Sequence, residues 1–161
     1  MSEHRISVSI NGTAYAAAVE PRLLLSDFIR EHAALTGTQV GCEHGVCGVC
    51  TVQLDGRPVR SCLLLAVQVN GRDVRTVEAL AAEHGGELHP LQRAFHEAHA
   101  LQCGFCTPGF LMTLEPLLRP GADRELGDDD LREALAGVVC RCTGYQNIVR
   151  AVRSALAAAD A

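Results

Sequence analysis

The sequence predicts an α+β chain: a small mixed sheet packed on a helix, followed by a four-helix bundle. Three observations carry that prediction. Apolar residues alternate with a period of two in the first half, the period becomes helical from about residue 78, and turn residues fall where each run breaks. The change of period divides the chain into 1–78 and 79–161, with no internal repeat or low-complexity linker between them.

The first strand is "RISVSI", with Ile6, Val8 and Ile10 on one face and Ser7 and Ser9 on the other. Asn11-Gly12 is a strong two-residue hairpin signal, and "TAYAAAV" is the return strand. "LLLSDFIREH" follows as a helix, with Leu24, Leu25, Phe28 and Ile29 at helical spacing. "CTVQL", Asp55-Gly56 and "RPVRSC" make a second hairpin, and "RDVRTV" is a fifth strand.

In the second half, "PLQRAFHEAHAL" places Leu91, Ala94, Phe95 and Ala98 on one face, with Pro90 in its first turn. "PGFLMTLEPLL" aligns Phe110, Leu111, Leu114, Leu117 and Leu118, and Pro116 should kink or end this helix near Glu115. "RPGADRELG" is a loop. Asp128 to Asp130 then start a third helix, "LREALAGVV", as acidic residues favoured by the helix dipole. "QNIVRAVRSALAAA" is the fourth, burying Ile148, Val149, Val152 and Leu156.

Composition narrows the function. Of the 161 residues 48% are hydrophobic, tryptophan is absent and aromatics are 4%, so the core must be aliphatic and alanine-rich. Fourteen basic and 19 acidic residues give a formal charge of −5, and no basic cluster suits nucleic acid or an anionic membrane surface. "MSEHRISVSI" lacks the features of a secretory signal, and no apolar run is long enough for membrane insertion. The expected compartment is the cytoplasm, where eight cysteines point to metal or redox chemistry rather than disulfides.

Cys42, Cys47 and Cys50 lie in "GCEHGVCGVC", and Cys62 follows the second hairpin. This C-x4-C-x2-C…C spacing is that of plant-type [2Fe–2S] ligation. Three thiolates must come from a loop that doubles back, and its glycines permit the positive φ angles and close approach this needs. Backbone N–H groups can then offset the cluster's negative charge. A four-cysteine zinc site is the alternative, although such sites more often show two C-x2-C knuckles. Cys103 and Cys106 in "QCGFCTPG", with Cys140 and Cys142 in "CRCTGY", form a less specific set that alone suits zinc or a redox dithiol. Both pairs precede predicted helices, whose N-termini favour an anionic centre.

Other residues read as structural. His96 and His99 share a helix face without a third ligand, and His44 is a residue of the first cysteine loop rather than a Rieske-type ligand. Phe105 and Tyr145 flank the second set and should shield and pack it. No nucleophile with its base, phosphate loop or nucleotide fingerprint is present, so substrate chemistry lies elsewhere.

Taken together, "GTQVGCEHGVCGVCTVQLDG" with "SC" (37 to 56, 61 to 62), "LQCGFCTPGF" (101 to 110) and "CRCTGYQNIVRAV" (140 to 152) resemble the small iron–sulfur subunit of the molybdenum hydroxylases, the xanthine oxidase and carbon monoxide dehydrogenase family. The resemblance spans nearly the full length and includes the order and spacing of all eight cysteines. It implies an N-terminal β-grasp, plant-type ferredoxin-like domain and an all-α four-helix-bundle domain. Each would hold one [2Fe–2S] cluster, on Cys42, Cys47, Cys50 and Cys62 and on Cys103, Cys106, Cys140 and Cys142. It also implies a molybdopterin cofactor in a separate large subunit, an FAD subunit or other electron acceptor, and pterin contacts from Gln102 and Cys142. In such an enzyme electrons leave molybdenum one at a time through the two clusters. A free-standing two-cluster ferredoxin-type carrier is the alternative.

Against the family pattern, Val49 stands where alanine is usual, Val138 where asparagine is common, and Pro116 interrupts a smoother helix; no ligand is lost. Two oxidised clusters would take the formal charge from −5 to about −9.

Overall fold

The computed structural model describes residues 3–122 and 126–159. Strands β1 (His4–Ile10) and β2 (Thr13–Val19) pair antiparallel around Asn11 and Gly12, whose φ angles of 52° and 77° suit a tight hairpin. Ile6, Val8 and Ile10 are buried, as their alternation requires. A second hairpin joins β3 (Thr51–Leu54) to β4 (Arg57–Arg60) through Asp55-Gly56. The short β5 (Asp73–Arg75) inserts between the hairpins, parallel to β1 and antiparallel to β3. The sheet order is β2-β1-β5-β3-β4.

Strand β5 is shorter than the expected "RDVRTV" because the Asn11 side chain accepts the Thr76 N–H (2.8 Å) and Val77 already begins the next helix. The helix expected over "LLLSDFIREH" is one α-turn, α1 (Leu25–Asp27), running into a π-helical turn, Phe28–His32. The Ala33 N–H reaches the Phe28 carbonyl across that wider turn (3.2 Å). Leu24 is extended rather than helical and bridges to Leu65. Leu25, Phe28 and Ile29 pack on Ile6, Val8, Val52 and Val74 to form the first core. Fully burying each such side chain contributes about 1.5–3 kcal/mol.

The second half contains the four expected helices, α3 (Pro90–Glu97), α4 (Thr107–Leu114), α5 (Asp128–Ala136) and α6 (Gln146–Ala159), after a short α2 (Glu78–Ala82). Five residues are too few for α2 to announce itself by period, yet its Leu80 is buried in the helical core. His89 caps α3 reciprocally: its Nδ1 accepts the Leu91 N–H (3.1 Å), and Gln92 accepts the His89 N–H (2.9 Å). Helix α4 stops at Leu114, and Glu115–Leu118 continue as a 3₁₀ turn, as Pro116 dictates. The Asp130 carboxylate accepts the Gly127 N–H (2.8 Å) and fixes the start of α5. Residues 123–125 of the expected loop "RPGADRELG" lie outside the described residues. Val149, Leu117 and Leu118 are only partly buried, whereas Ile148, Val152 and Leu156 are fully so. Among the described residues no helix is long and apolar enough to cross a membrane.

The two halves meet along β3 and α4. A Cβ on Gly109 of α4 would lie 2.7 Å from the Gly48 carbonyl oxygen and 2.9 Å from Val49 Cα, so the two backbones touch only because residue 109 is glycine. Gly48, at φ 73°, in turn abuts the Gly137 carbonyl. Val49, 3% exposed, enters the helical core instead of the sheet's own. Beside this apolar seam Gln53 Nε2 donates to the Met112 carbonyl (3.1 Å) and to buried Glu115 (2.9 Å). Arg75 (3.1 Å) and Arg119 (2.6 Å) flank the same carboxylate, and Arg119 Nη1 reaches the Gly56 carbonyl (3.1 Å). Burial alone would raise the Glu115 carboxyl, but the hydrogen bonds from Arg119 and Gln53 and the charge of Arg75 outweigh it and hold it below the ordinary 4.5.

Replacing Gly109 with alanine should force the seam apart, destabilise the chain by about 1–3 kcal/mol and lower its thermal midpoint in calorimetry. The Glu115 carboxylate is a lowered-pKa group, so its contribution is complete above 4.5 and is lost as acid titrates it in the folded state. Glu115→Gln should therefore cost roughly 1–3 kcal/mol at neutral pH. In urea unfolding the gap to the parent should stay constant from about pH 8 to about pH 5 and narrow only below the carboxylate range.

Candidate metal centres

The eight cysteines are free thiols gathered in two groups of four. In the first, the loop after Gly41 turns back on itself at Gly45 (φ 81°), bringing the Cys47 N–H to within 3.3 Å of Cys42 Sγ. Cys62 sits in a 3₁₀ turn, Ser61–Leu63, directly after β4. The Ser61 hydroxyl (2.8 Å) and N–H (3.3 Å) both donate to the Cys50 carbonyl and clamp that turn to the loop. Cys62 thereby faces Cys50, and the Gly45 N–H points at its sulfur. The clamp had no sequence signal beyond the serine itself.

In the second group Cys106 occupies the N-cap position of α4, and Cys140 and Cys142 precede α6. Cys142 Sγ lies 3.5 Å from Cys103 Sγ, and Cys106 faces Cys140. The Thr143 hydroxyl (3.1 Å) and N–H (3.5 Å) approach Cys140 Sγ. Tyr145 Oη accepts the Cys140 N–H (2.9 Å) and donates to the Val138 carbonyl (3.2 Å), so the expected packing residue also ties down the C-x-C loop.

Both groups therefore share one plan: sulfurs arranged two by two, Cys42 with Cys47 and Cys50 with Cys62, Cys103 with Cys142 and Cys106 with Cys140. Among the described residues no three His, Cys, Asp or Glu side chains close around a single point. Two pairs with N–H groups aimed at sulfur form a donor set that suits a binuclear anionic centre.

The groups communicate across the seam. The Val139 N–H, one residue before Cys140, donates to the carbonyl of Cys47 (2.8 Å). The Phe105 ring, 45% exposed, lies 3.5 Å from the position of a Gly41 Cβ and so bridges the two loops. Val138, in place of a polar residue, is wholly buried in the helical core. Gln102 and Cys142 are both exposed, at the outer edge of the second group. His44, His96 and His99 are exposed. Helix α3 ends at Glu97 and His99 has a φ of 51°, so His96 and His99 do not share the expected helix face. The His44 ring turns to the Cys42 carbonyl.

Thiol acidity differs within each group. The Cys47 N–H and the backbone at His44 bring Cys42 down to about 6. Burial, reinforced by the Cys50 sulfur, pushes Cys62 up to about 11, and burial with the Cys140 sulfur pushes Cys106 up to about 12. The Phe105 N–H lowers Cys103, whereas the Cys103 sulfur raises Cys142. Burial of Cys140 is more than offset by the Thr143 hydroxyl and N–H, which lower it.

Two family profiles match the chain. Residues 8–81 match a "2Fe-2S iron-sulfur cluster binding domain" and residues 76–153 a "[2Fe-2S] binding domain". The 6-hydroxypseudooxynicotine dehydrogenase complex subunit beta of Paenarthrobacter nicotinovorans is 56% identical over 160 residues, covering 99% of this chain and 98% of its own. Caffeine dehydrogenase subunit gamma of Pseudomonas sp. (strain CBB1) is 57% identical over 155 residues, 96% of this chain and 92% of its own. Among solved structures, a chain of quinoline 2-oxidoreductase from Pseudomonas putida 86 superposes with a TM-score of 0.87 at 47% identity, covering 99% of this chain and 98% of that one.

In the metal-free chain at neutral pH, iodoacetamide should alkylate Cys42 well before Cys62 and Cys106, as read by peptide mass spectrometry. Equal rates at all three would contradict the opposed shifts of Cys42 and of the buried Cys62 and Cys106.

Proposed function

The chain belongs to the small iron–sulfur subunits of the molybdenum hydroxylase (xanthine dehydrogenase) family, and from that premise we propose how its two thiol groups serve an electron-transfer subunit. Residues 1–78 form the β-grasp, ferredoxin-like unit, and 79–161 form the helical unit with four principal helices. The sheet order and the core shared by α2 to α6 support this division. Cys42, Cys47, Cys50 and Cys62 hold one [2Fe–2S] cluster, and Cys103, Cys106, Cys140 and Cys142 hold the other. The observation that carries the assignment is the two-by-two pairing of sulfurs in both groups.

When bound, the clusters supply one-electron redox steps between the molybdopterin cofactor of a partner large subunit and an FAD subunit or other acceptor. The chain's own residues do the rest. The Cys47, Gly45, Phe105 and Thr143 N–H groups stabilise thiolate charge without having to reorganise. Ser61 and Tyr145 fix the loops that carry Cys62 and Cys140. Val49 and Val138 exclude water from the seam between the groups. Gln102 and Cys142, exposed side by side with Cys103, are the residues that reach the pterin of the large subunit. The assembly is cytoplasmic, where reduced thiols are available for cluster insertion. Caffeine and quinoline, named for two of the relatives' complexes, are nitrogen heterocycles, which supports that substrate class for this complex.

The chain should co-purify with a larger molybdopterin protein, and electron paramagnetic resonance of the reduced complex should show two distinct [2Fe–2S] signals. A single signal, or zinc without acid-labile sulfide, would overturn the assignment. The complex should reduce an artificial acceptor faster with quinoline or caffeine than with benzaldehyde.

A further inference from the structure

A buried cation is ordinarily paired with an anion. Two half-buried arginines here obey that rule, Arg75 with Glu83 and Glu115 and Arg119 with Glu115. Arg60, at the end of β4, does not. Its Nη1 donates to the Thr51 hydroxyl (3.1 Å) and its Nη2 to the Gly137 carbonyl, while its Nε is buried without an acceptor. No carboxylate among the described residues pairs with it.

Its partners define where this charge sits. Thr51 follows Cys50 directly and donates to the Gly48 carbonyl in the first cysteine loop (2.6 Å). Arg60 itself is two residues before Cys62, and Gly137 is three before Cys140. The guanidinium is thus wedged into the seam between the thiol groups. It is bracketed by both members of the Cys50–Cys62 pair and is one peptide segment from Cys140.

We propose that the clusters are the missing counter-charge, so that Arg60 is a fixed cation raising the reduction potential of the first group's cluster and, more weakly, that of the second. The inference rests on the ligand assignment above. A cluster held by four thiolates is anionic, and each reduction by one electron adds a negative charge to it. A guanidinium that water screens poorly therefore favours the reduced form, and by more the closer it lies. Arginine suits the position because it stays charged when buried and its planar fork fits two acceptors on different elements.

The test is a redox titration of the purified complex with dithionite and ferricyanide, followed by electron paramagnetic resonance, for the parent, Arg60→Met, Arg60→Gln and Arg60→Lys. Both neutral variants should make one cluster's reduction equilibrium about tenfold less favourable, roughly 59 mV for a one-electron couple, with a smaller shift of the other signal. Arg60→Lys, which keeps the charge but loses the fork, should stay near the parent. A parent without two [2Fe–2S] signals would sink the ligand assignment itself. A parent with both signals, and neutral variants whose midpoints do not move, would sink the role of Arg60 alone, as would a lysine variant shifted as far as methionine. If the neutral variants lose a cluster while Arg60→Lys keeps both, charge is what was removed and the inference stands. Loss in all three would assign Arg60 to loop geometry instead.

Discussion

The contact on which the rest of this molecule depends is between two stretches of backbone. Gly109 on α4 meets the backbone of Gly48 and Val49 in the first cysteine loop, and Gly48 in turn meets the Gly137 carbonyl, so that neither glycine has room for a side chain. That approach draws the loop off its own sheet and plants Val49 in the helical core. It also brings Gly137 within reach of Arg60 and the Val139 N–H within reach of the Cys47 carbonyl. The polar node of Gln53, Glu115, Arg75 and Arg119 closes the far side of the same seam, where its buried carboxylate is fully bonded and so does not oppose the contact. The two cores are joined by backbone contacts and not by side-chain contacts alone.

Each thiol group has a buried pair and a more exposed pair. Cys50 with Cys62 and Cys106 with Cys140 face inward, whereas Cys103 and Cys142 are exposed and Cys42 and Cys47 partly so. Within the inner pairs burial most opposes a bare thiolate at Cys62 and Cys106, whose pKa values it raises, while at Cys140 the Thr143 hydroxyl and N–H offset it. A metal bound at Cys62 and Cys106 would favour their thiolates, which would couple the finished fold to its cofactor. The outer pairs are held by N–H groups at lower cost and lie at the surface, where a partner can approach. An electron-transfer subunit needs both: an interior that keeps its centres at fixed separation, and an exposed edge at which electrons enter and leave.

Much of this was legible in the sequence. The hairpins were readable because Asn11-Gly12 and Asp55-Gly56 are turn signals of fixed geometry. The stop in α4 was readable because proline lacks an N–H. The cysteine spacing indicated the two thiol groups, since residues of one loop are local in sequence. What escaped was decided by tertiary contacts. The π-helical turn at Phe28–His32 follows from docking Phe28 and Ile29 on the sheet, and the short β5 from Asn11 reaching across to Thr76. Helix α2 is too short for any period to show. The placement of Cys62 and Cys140 is fixed by Ser61 and Tyr145, whose role as clamps is visible only when the loops are folded. Val49 and Val138 stood out as departures from the family pattern, and both proved to be packing residues on the seam.

Two redox sites belong in one chain only if their separation is fixed. The hydrogen bond from Val139 to Cys47 does this with backbone atoms, joining the carbonyl of one proposed ligand residue to the residue that precedes another. Apart from proline at position 139, which would remove the donor, no substitution deletes such a bond directly; it persists or fails with the seam. A freely diffusing carrier would gain nothing from so rigid a spacing, because each of its encounters samples orientation anew. A subunit inserted between two fixed partners gains much, since its two sites must meet both partners at once. The glycine contacts, the shared core and the backbone bond all favour that second situation, and they do so independently of which substrate the assembled enzyme takes.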